Sequence, residues 1–230
     1  MFRMQDATKG YGRQGTEVVA LAPTTLEIAR GEFVAVIGAS GSGKTTLLSM
    51  LGGMLAPSSG KVWLDKESLY DTSVVERARI RQHRLGFVFQ TFNLIPYLTA
   101  LENVQVPLML RGAPSAADEQ RILKLLARVG LETRVHHKPS ELSIGQQQRV
   151  ALARTLANDP AAILADEPTG NLDPETREQV LAFFEELRRE GRTVVMVTHD
   201  PIAASRATRV IKLRDGAVLS ESVNTQARVA

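Results

Sequence analysis

A short apolar run, Phe33-Val-Ala-Val-Ile37, passes directly into Gly38-Ala39-Ser40-Gly41-Ser42-Gly43-Lys44-Thr45-Thr46, and then into Leu47, Leu48, Met50 and Leu51 at helical spacing. The run is rich in valine, too short for a helix and bounded by Gly31 and Gly38, which predicts a strand buried on both faces. The spacing that follows predicts a helix over 45–55, stopping near Pro57-Ser-Ser-Gly60. Strand, glycine loop and helix together form one half of a βαβ unit and place the chain in the α/β class. Gly38 to Thr45 fits the phosphate-binding loop pattern in full, in the strand-to-helix context that confirms such a match. Its glycines let backbone N–H groups turn inward around phosphates, and the helix N-terminus favours the anion. Lys44 is placed to reach the β and γ phosphates and the Thr45 hydroxyl to hold Mg²⁺. A tight glycine turn without a ligand is the weaker reading in that context.

Two further buried strands are predicted at Ala162-Ile-Leu-Ala165 and Thr193-Val-Val-Met-Val-Thr198, with a helix over 175–189 between them. Buried strands alternating with helices imply a parallel sheet. The first of the two ends in Asp166, at the sheet end beside the phosphate loop, where a carboxylate suits the Mg²⁺ shell. Glu167 follows, and a carboxylate there can take a proton from a water attacking the γ-phosphate. Without the phosphate loop, an Asp-Glu pair after a strand would read equally well as a solvated turn. Residues 91–156 contain no convincing strand but several helical stretches, such as 117–129 and 145–156, and read as a helical subdomain inserted into the α/β core. The piece from Ala217 to Ala230 is polar and carries no distinctive motif.

Composition narrows the class. With 230 residues, 43% hydrophobic and 23% charged, one domain carrying one insertion is expected. A net charge of +3 is a small imbalance and does not suggest a duplex-binding stripe. The absence of cysteine excludes disulfides, thiolate nucleophiles and zinc ribbons, and suits a reducing compartment. Met1 to Tyr11 lacks the apolar core of a signal peptide, and no apolar run approaches the roughly 20 residues that span a bilayer, so a membrane connection is expected through a partner and not by direct insertion. Arg77, Arg79, Arg81 and Arg84, with Lys66, read as one solvated helix face more readily than as a nucleic-acid patch, because no aromatics interleave them.

Leu142-Ser143-Ile144-Gly145-Gln146 precedes a predicted helix and resembles the signature motif of ABC ATPases. In the family's order stand the phosphate loop, Gln90 after Gly86-Phe-Val-Phe89, the signature, Asp166-Glu167, Asn171-Leu172-Asp173 after Pro168-Thr-Gly170, and His199 at a strand end. The resemblance covers nearly the whole chain. It implies a P-loop NTPase (RecA-like) core with a mixed, mainly parallel sheet over 1–90 and 157–230. It also implies an inserted α-helical subdomain over 91–156 and an N-terminal antiparallel β part. A head-to-tail, ATP-dependent homodimer is implied, in which ATP on one phosphate loop is closed over by Ser143, Gly145 and Gln146 of the other protomer. Gln90 is implied to reach Mg²⁺ and the attacking water, His199 to contact the γ-phosphate, and Tyr11 to stack on adenine; packing or surface roles are the alternatives for Gln90 and Tyr11. Ser143 is also a plausible helix N-cap without any ligand. Ile144 stands where the family has glycine, and a β-branched residue there requires extended or helical backbone. Trp63 reads as packing, and His83, His136 and His137 match no motif.

The stretch Ala165-Asp-Glu-Pro-Thr-Gly-Asn-Leu-Asp173 and the segment Gln90 to Pro96 resemble the subgroup of lipoprotein-releasing, macrolide-exporter and cell-division ATPases. That resemblance implies a motor at the cytoplasmic face of the membrane, held there by a separate permease that contacts 90–96, with Phe92, Leu94 and Ile95 lining the receiving groove. An amino-acid-type importer motor is the runner-up. A soluble ABC protein of DNA repair would need a long heptad insertion, which the chain lacks. A phosphate-loop kinase would leave Ser143–Gln146 and Asn171–Asp173 unexplained.

Overall fold

The computed structural model describes residues 1–12 and 18–224. Two sheets and an inserted helical layer make up the chain. The first sheet is antiparallel, in the order β2-β1-β4-β5, from β1 (Phe2–Tyr11), β2 (Val18–Ile28), β4 (Ser59–Leu64) and β5 (Glu67–Ser68). In β1, Phe2 and Met4 are buried while Arg3 and Gln5 are exposed, the alternation of a sheet with one wet face. The second sheet runs β10-β9-β3-β8-β7-β6, from β3 (Phe33–Ile37), β6 (Leu85–Phe89), β7 (Ala162–Asp166), β8 (Thr193–Thr198), β9 (Arg209–Arg214) and β10 (Ala217–Val223). All its pairings are parallel except β9 with β10, so the sheet is mixed and mainly parallel. Every residue of β8 is buried, as expected of a central strand covered on both faces.

One face of this sheet packs on α1 (Lys44–Leu51) and the first sheet, the other on α6 (Pro174–Arg189), α7 (Pro201–Ser205) and α5 (Ile144–Thr155). The helix α2 (Val74–Arg84) leads into β6. Between β6 and β7 lie α3 (Ala100–Met109), α4 (Ala116–Arg128) and α5, which share a hydrophobic cluster of their own around Val104, Ile122, Leu126 and Val150. The chain therefore has the α/β core, the helical insertion and the antiparallel N-terminal part that its motifs imply.

Three details differ from expectation. The first helix ends at Leu51 and not near residue 55, because the Gly52-Gly53 pair interrupts it. The stretch after Ala217 contains a strand, β10, closed onto β9 by Asp215-Gly216 with φ of 50° and 77°. An Asp-Gly pair with both φ positive is the strongest short hairpin signal, and it outweighs the polar composition that hid the strand; residues 225–230 lie outside the described residues. Arg79 and Lys66 are exposed as expected of a solvated face, but the other three arginines of α2 are half-buried. Arg77 donates to the Leu69 carbonyl and lies over the Tyr70 ring, Arg81 donates to the Gly53 carbonyl, and Arg84 pairs with Asp65 and Glu67. Leu94 is half-buried against the helical cluster, while its neighbour Ile95 is exposed.

Candidate functional site

The phosphate loop links β3 to α1 at the end of the parallel sheet. Gly43 is the N-cap of α1 with φ 95°, and an added Cβ would lie 2.4 Å from the Ala20 carbonyl oxygen, so only glycine fits beneath β2. With no capping side chain at Gly43, the first-turn N–H groups of α1 face the loop, a ready site for an anion. Ser42 is buried under the loop, and Lys44, also buried, donates from Nζ to the carbonyls of Gly38 and Ala39 at 2.9 Å each.

A cavity of about 740 Å³ lies over this loop. Gly38 to Thr46, except Ser42, lines it together with Gln90, Asp166, Glu167 and His199, residues that come from four separate strand ends. The Thr45 hydroxyl donates to Asp166 Oδ1 at 3.3 Å. Burial pushes the Asp166 carboxyl above the usual carboxylate range, the Glu167 charge adds to this, and the Thr45 hydroxyl and Lys44 work against it. Glu167 has φ 46°, an uncommon left-handed conformation held by its N–H donating to the Val197 carbonyl at 3.0 Å. Its Oε1 lies 2.9 Å from His199 Nδ1, while Oε2 is buried with no protein partner. A carboxylate that lines the cavity and is fixed by an imidazole has the chemistry of a base for a water held there.

Gln90 follows β6 and approaches Gly170, where an added Cβ would meet its Nε2 at 3.3 Å. The turn after it is held from the helical layer. Phe92 and Asn93 have φ of 57° and 50°, and their carbonyls accept from the Arg154 guanidinium, the bond to Asn93 measuring 2.6 Å. Asn103, wholly buried, binds both the N–H and the carbonyl of Ile95. Asp173 caps α6, accepting from the N–H groups of Glu175 and Thr176.

The remaining sequence-selected residues lie elsewhere. Ser143 is the N-cap of α5 in a reciprocal pair: it accepts from Gln146 N at 3.2 Å, and Gln146 Oε1 accepts from Ser143 N at 3.0 Å. Ile144 is the first residue of the helix and 58% exposed, so the missing glycine is compatible with ordinary helical backbone. Gly145 abuts α6: a Cβ there would come within 2.9 Å of the Thr176 hydroxyl. None of these signature residues lines the cavity. Tyr11, at the end of β1 and 49% exposed, lies outside the lining as well, with Lys9 Nζ 5.3 Å from its ring centroid. Sequence reasoning missed Ala20, which lines the cavity from β2, and also Arg154 and Gln148 on α5. Their roles arise from contacts across the fold, and no local pattern marks them.

The ABC transporter family profile matches residues 21–170. The chain is 44% identical over 227 residues to a macrolide export ATP-binding/permease protein MacB of Hyphomonas neptunium, covering 99% of this chain and 35% of that protein. It thus spans about a third of that relative's length. It is 45% identical over 218 residues to an uncharacterised ABC transporter ATP-binding protein of Thermotoga maritima, covering 95% of this chain and 93% of the other. Among solved structures it is similar to a dimeric structure of a post-hydrolysis state of the ATP-binding cassette MJ0796 bound to ADP and Pi. That similarity has a TM-score of 0.90 and 44% identity, over 97% of this chain and 99% of that one. Sequence, fold and the convergence of four strand ends on one phosphate loop therefore agree: the chain belongs to the ABC transporter family, as an ATPase domain.

Proposed function

We propose that the chain hydrolyses ATP as half of a head-to-tail homodimer, and that this cycle drives a separate permease of the exporter or lipoprotein-extraction type. The observation that carries the reading is the split of the motifs: one cavity gathers Lys44, Thr45, Gln90, Asp166, Glu167 and His199, while Ser143, Gly145 and Gln146 stand outside it, Ser143 and Gln146 capping each other at the start of α5.

In this reading the inward N–H groups of the loop and Lys44 bind the phosphates. Glu167 takes a proton from the attacking water as its oxygen bonds to the γ-phosphorus and the bond to the β-phosphate oxygen breaks, leaving ADP and phosphate. His199 holds the carboxylate and donates to the developing phosphate charge. Tyr11 meets the adenine. The oxygen donors of Thr45 and Asp166 fit Mg²⁺, and a cation there would relieve the raised Asp166 carboxyl; Gln90 stands within reach of the same place. When bound, Mg²⁺ supplies charge neutralisation on the phosphates.

Dimeric packing in the MJ0796 structure supports the pairing. The MacB resemblance supports an export-type permease and a position on the cytoplasmic membrane face, and among the described residues no helix is long and apolar enough to cross a membrane. The surface beside 90–96 that suits a permease helix is a cavity of about 460 Å³ between α2, β6 and α3, lined by Phe87, Phe89, Asn93, Pro107 and the 75%-exposed Leu110.

Two substitutions test the reading. Glu167→Gln is expected to bind ATP, hydrolyse it about 10²–10⁴-fold more slowly, and run as a stable dimer with ATP on size exclusion; hydrolysis at the parent rate removes Glu167 as the base. Leu110→Glu is expected to keep basal ATPase and the thermal melt, yet lose recruitment to and stimulation by the permease reconstituted in lipid. Normal stimulation would exclude this groove as the contact.

A further inference from the structure

We propose that Gln148 is a positioning residue for Glu167, through which α5 sets the geometry of its own chain's hydrolytic carboxylate. The inference rests on Glu167 being the base and on the head-to-tail pairing, as above. Gln148 is wholly buried, one turn into the helix that begins behind Ser143. A glutamine at that depth loses its water hydrogen bonds and its rotamer freedom, and is retained at a stability disadvantage unless its amide is used. Only half of it is: Nε2 donates to the Pro168 carbonyl at 2.9 Å, while Oε1 has no protein partner.

That single bond falls on the residue directly after Glu167. The main chain at this corner is gripped from two sides, Glu167 N–H donating to Val197 on β8 and Gln148 holding the Pro168 carbonyl from α5, across a turn that Gly170 N–H closes on the Glu167 carbonyl at 3.2 Å. Between the two grips Glu167 keeps its left-handed φ of 46°, a conformation that persists only where the surroundings impose it. Releasing the α5 grip lets the peptide rotate and moves the carboxylate relative to His199. A second contact joins α5 to the start of α6, six residues beyond the corner, since Gly145 abuts Thr176, whose hydroxyl donates to Asp173 Oδ2 at 2.6 Å.

Ser143 and Gln148 are five residues apart on one helix, about 7.5 Å along its axis. A displacement of the exposed Ser143 loop as it meets another protomer's nucleotide is therefore delivered to the Pro168 carbonyl, and so to the base of this chain's own site. Each site of the pair senses whether the other is filled through one side-chain amide.

The test is steady-state ATPase of Gln148→Leu and Gln148→Met, whose apolar side chains fill the same slot without the donor. The expected result is a fall in kcat of about tenfold or more with KM for ATP within about twofold. In the Glu167→Gln background, where the base is already absent, adding Gln148→Leu is expected to leave the ATP-trapped dimer intact on size exclusion. An unchanged kcat overturns the proposal. So does a raised KM or loss of the trapped dimer, because Gln148 would then support the Ser143 loop and not the base. A melt lowered by more than about 10 °C in both variants would make Gln148 a fold support and equally overturn it. Parent-rate hydrolysis by Glu167→Gln alone would instead sink the underlying reading of the base.

Discussion

The phosphate loop and the signature loop both sit at helix N-termini, but they are finished differently. The phosphate loop is walled in: Lys44 is buried, Gly43 lies under the Ala20 carbonyl, and four strand ends surround the cavity in front of it. The signature loop is open. Ser143 and Gln146 satisfy each other's N–H groups, Ile144 is exposed, and none of them lines the phosphate-loop cavity. An N-terminus completed by its own fold binds in isolation, whereas one capped only by itself offers a surface that acquires a target when a second molecule supplies it.

The sharpest way to break this comparison is to damage each loop separately and mix the products. Ser143→Arg is expected to keep ATP binding by calorimetry and lose ATPase. Lys44→Ala is expected to lose ATP affinity about tenfold or more, since it deletes the charge facing the phosphates, and to lose ATPase as well. A mixed pair has one site with an intact phosphate loop and an intact facing Ser143, so mixing the two inactive proteins should restore turnover. Failure of Ser143→Arg alone to bind ATP would mean that the signature loop acts in its own chain.

A smaller effect concerns how the open half is fastened to the closed one. Arg154 supplies the guanidinium that accommodates two left-handed residues after Gln90, and burial lowers its pKa. Arg154→Met leaves the Phe92 and Asn93 carbonyls without that donor and is expected to reduce stability by about 2–3 kcal/mol, read as a lower denaturant midpoint at constant slope. An unchanged midpoint would show that the turn holds itself.

The smallest effect lies inside the phosphate side. Asp166 has its folded-state pKa raised by burial, so the native chain binds its proton more tightly than the unfolded chain does. Its contribution is therefore most favourable at low pH and is lost as pH rises through the folded pKa. Asp166→Asn is accordingly expected to melt higher than the parent at neutral pH without nucleotide. The gap should close as pH falls through the Asp166 titration, while activity is lost throughout. A gap that widens on acidification would reverse the assigned direction.

The strand, glycine loop and start of the helix at 33–45, the carboxylates at the end of β7, His199 and Ser143 as the N-cap of α5 were all legible in the sequence. Each depends on neighbours a few residues away: a glycine pattern, a strand ending in acid, a cap three residues from its partner. The Asp215-Gly216 hairpin was equally local and was obscured only by the polar composition after it. What the tertiary structure alone decided is of another kind. It put Ala20 over Gly43, turned Arg77, Arg81 and Arg84 of α2 into clamps, set Leu94 half-buried against the helical layer, and joined Gln148 to Pro168 and Arg154 to the turn after Gln90. Those contacts couple residues 8 to 62 positions apart, beyond the few-residue spacing that a helical or strand period reads. Their existence follows from which faces of the two sheets and the helical layer meet, a matter of packing and of satisfying buried polar groups.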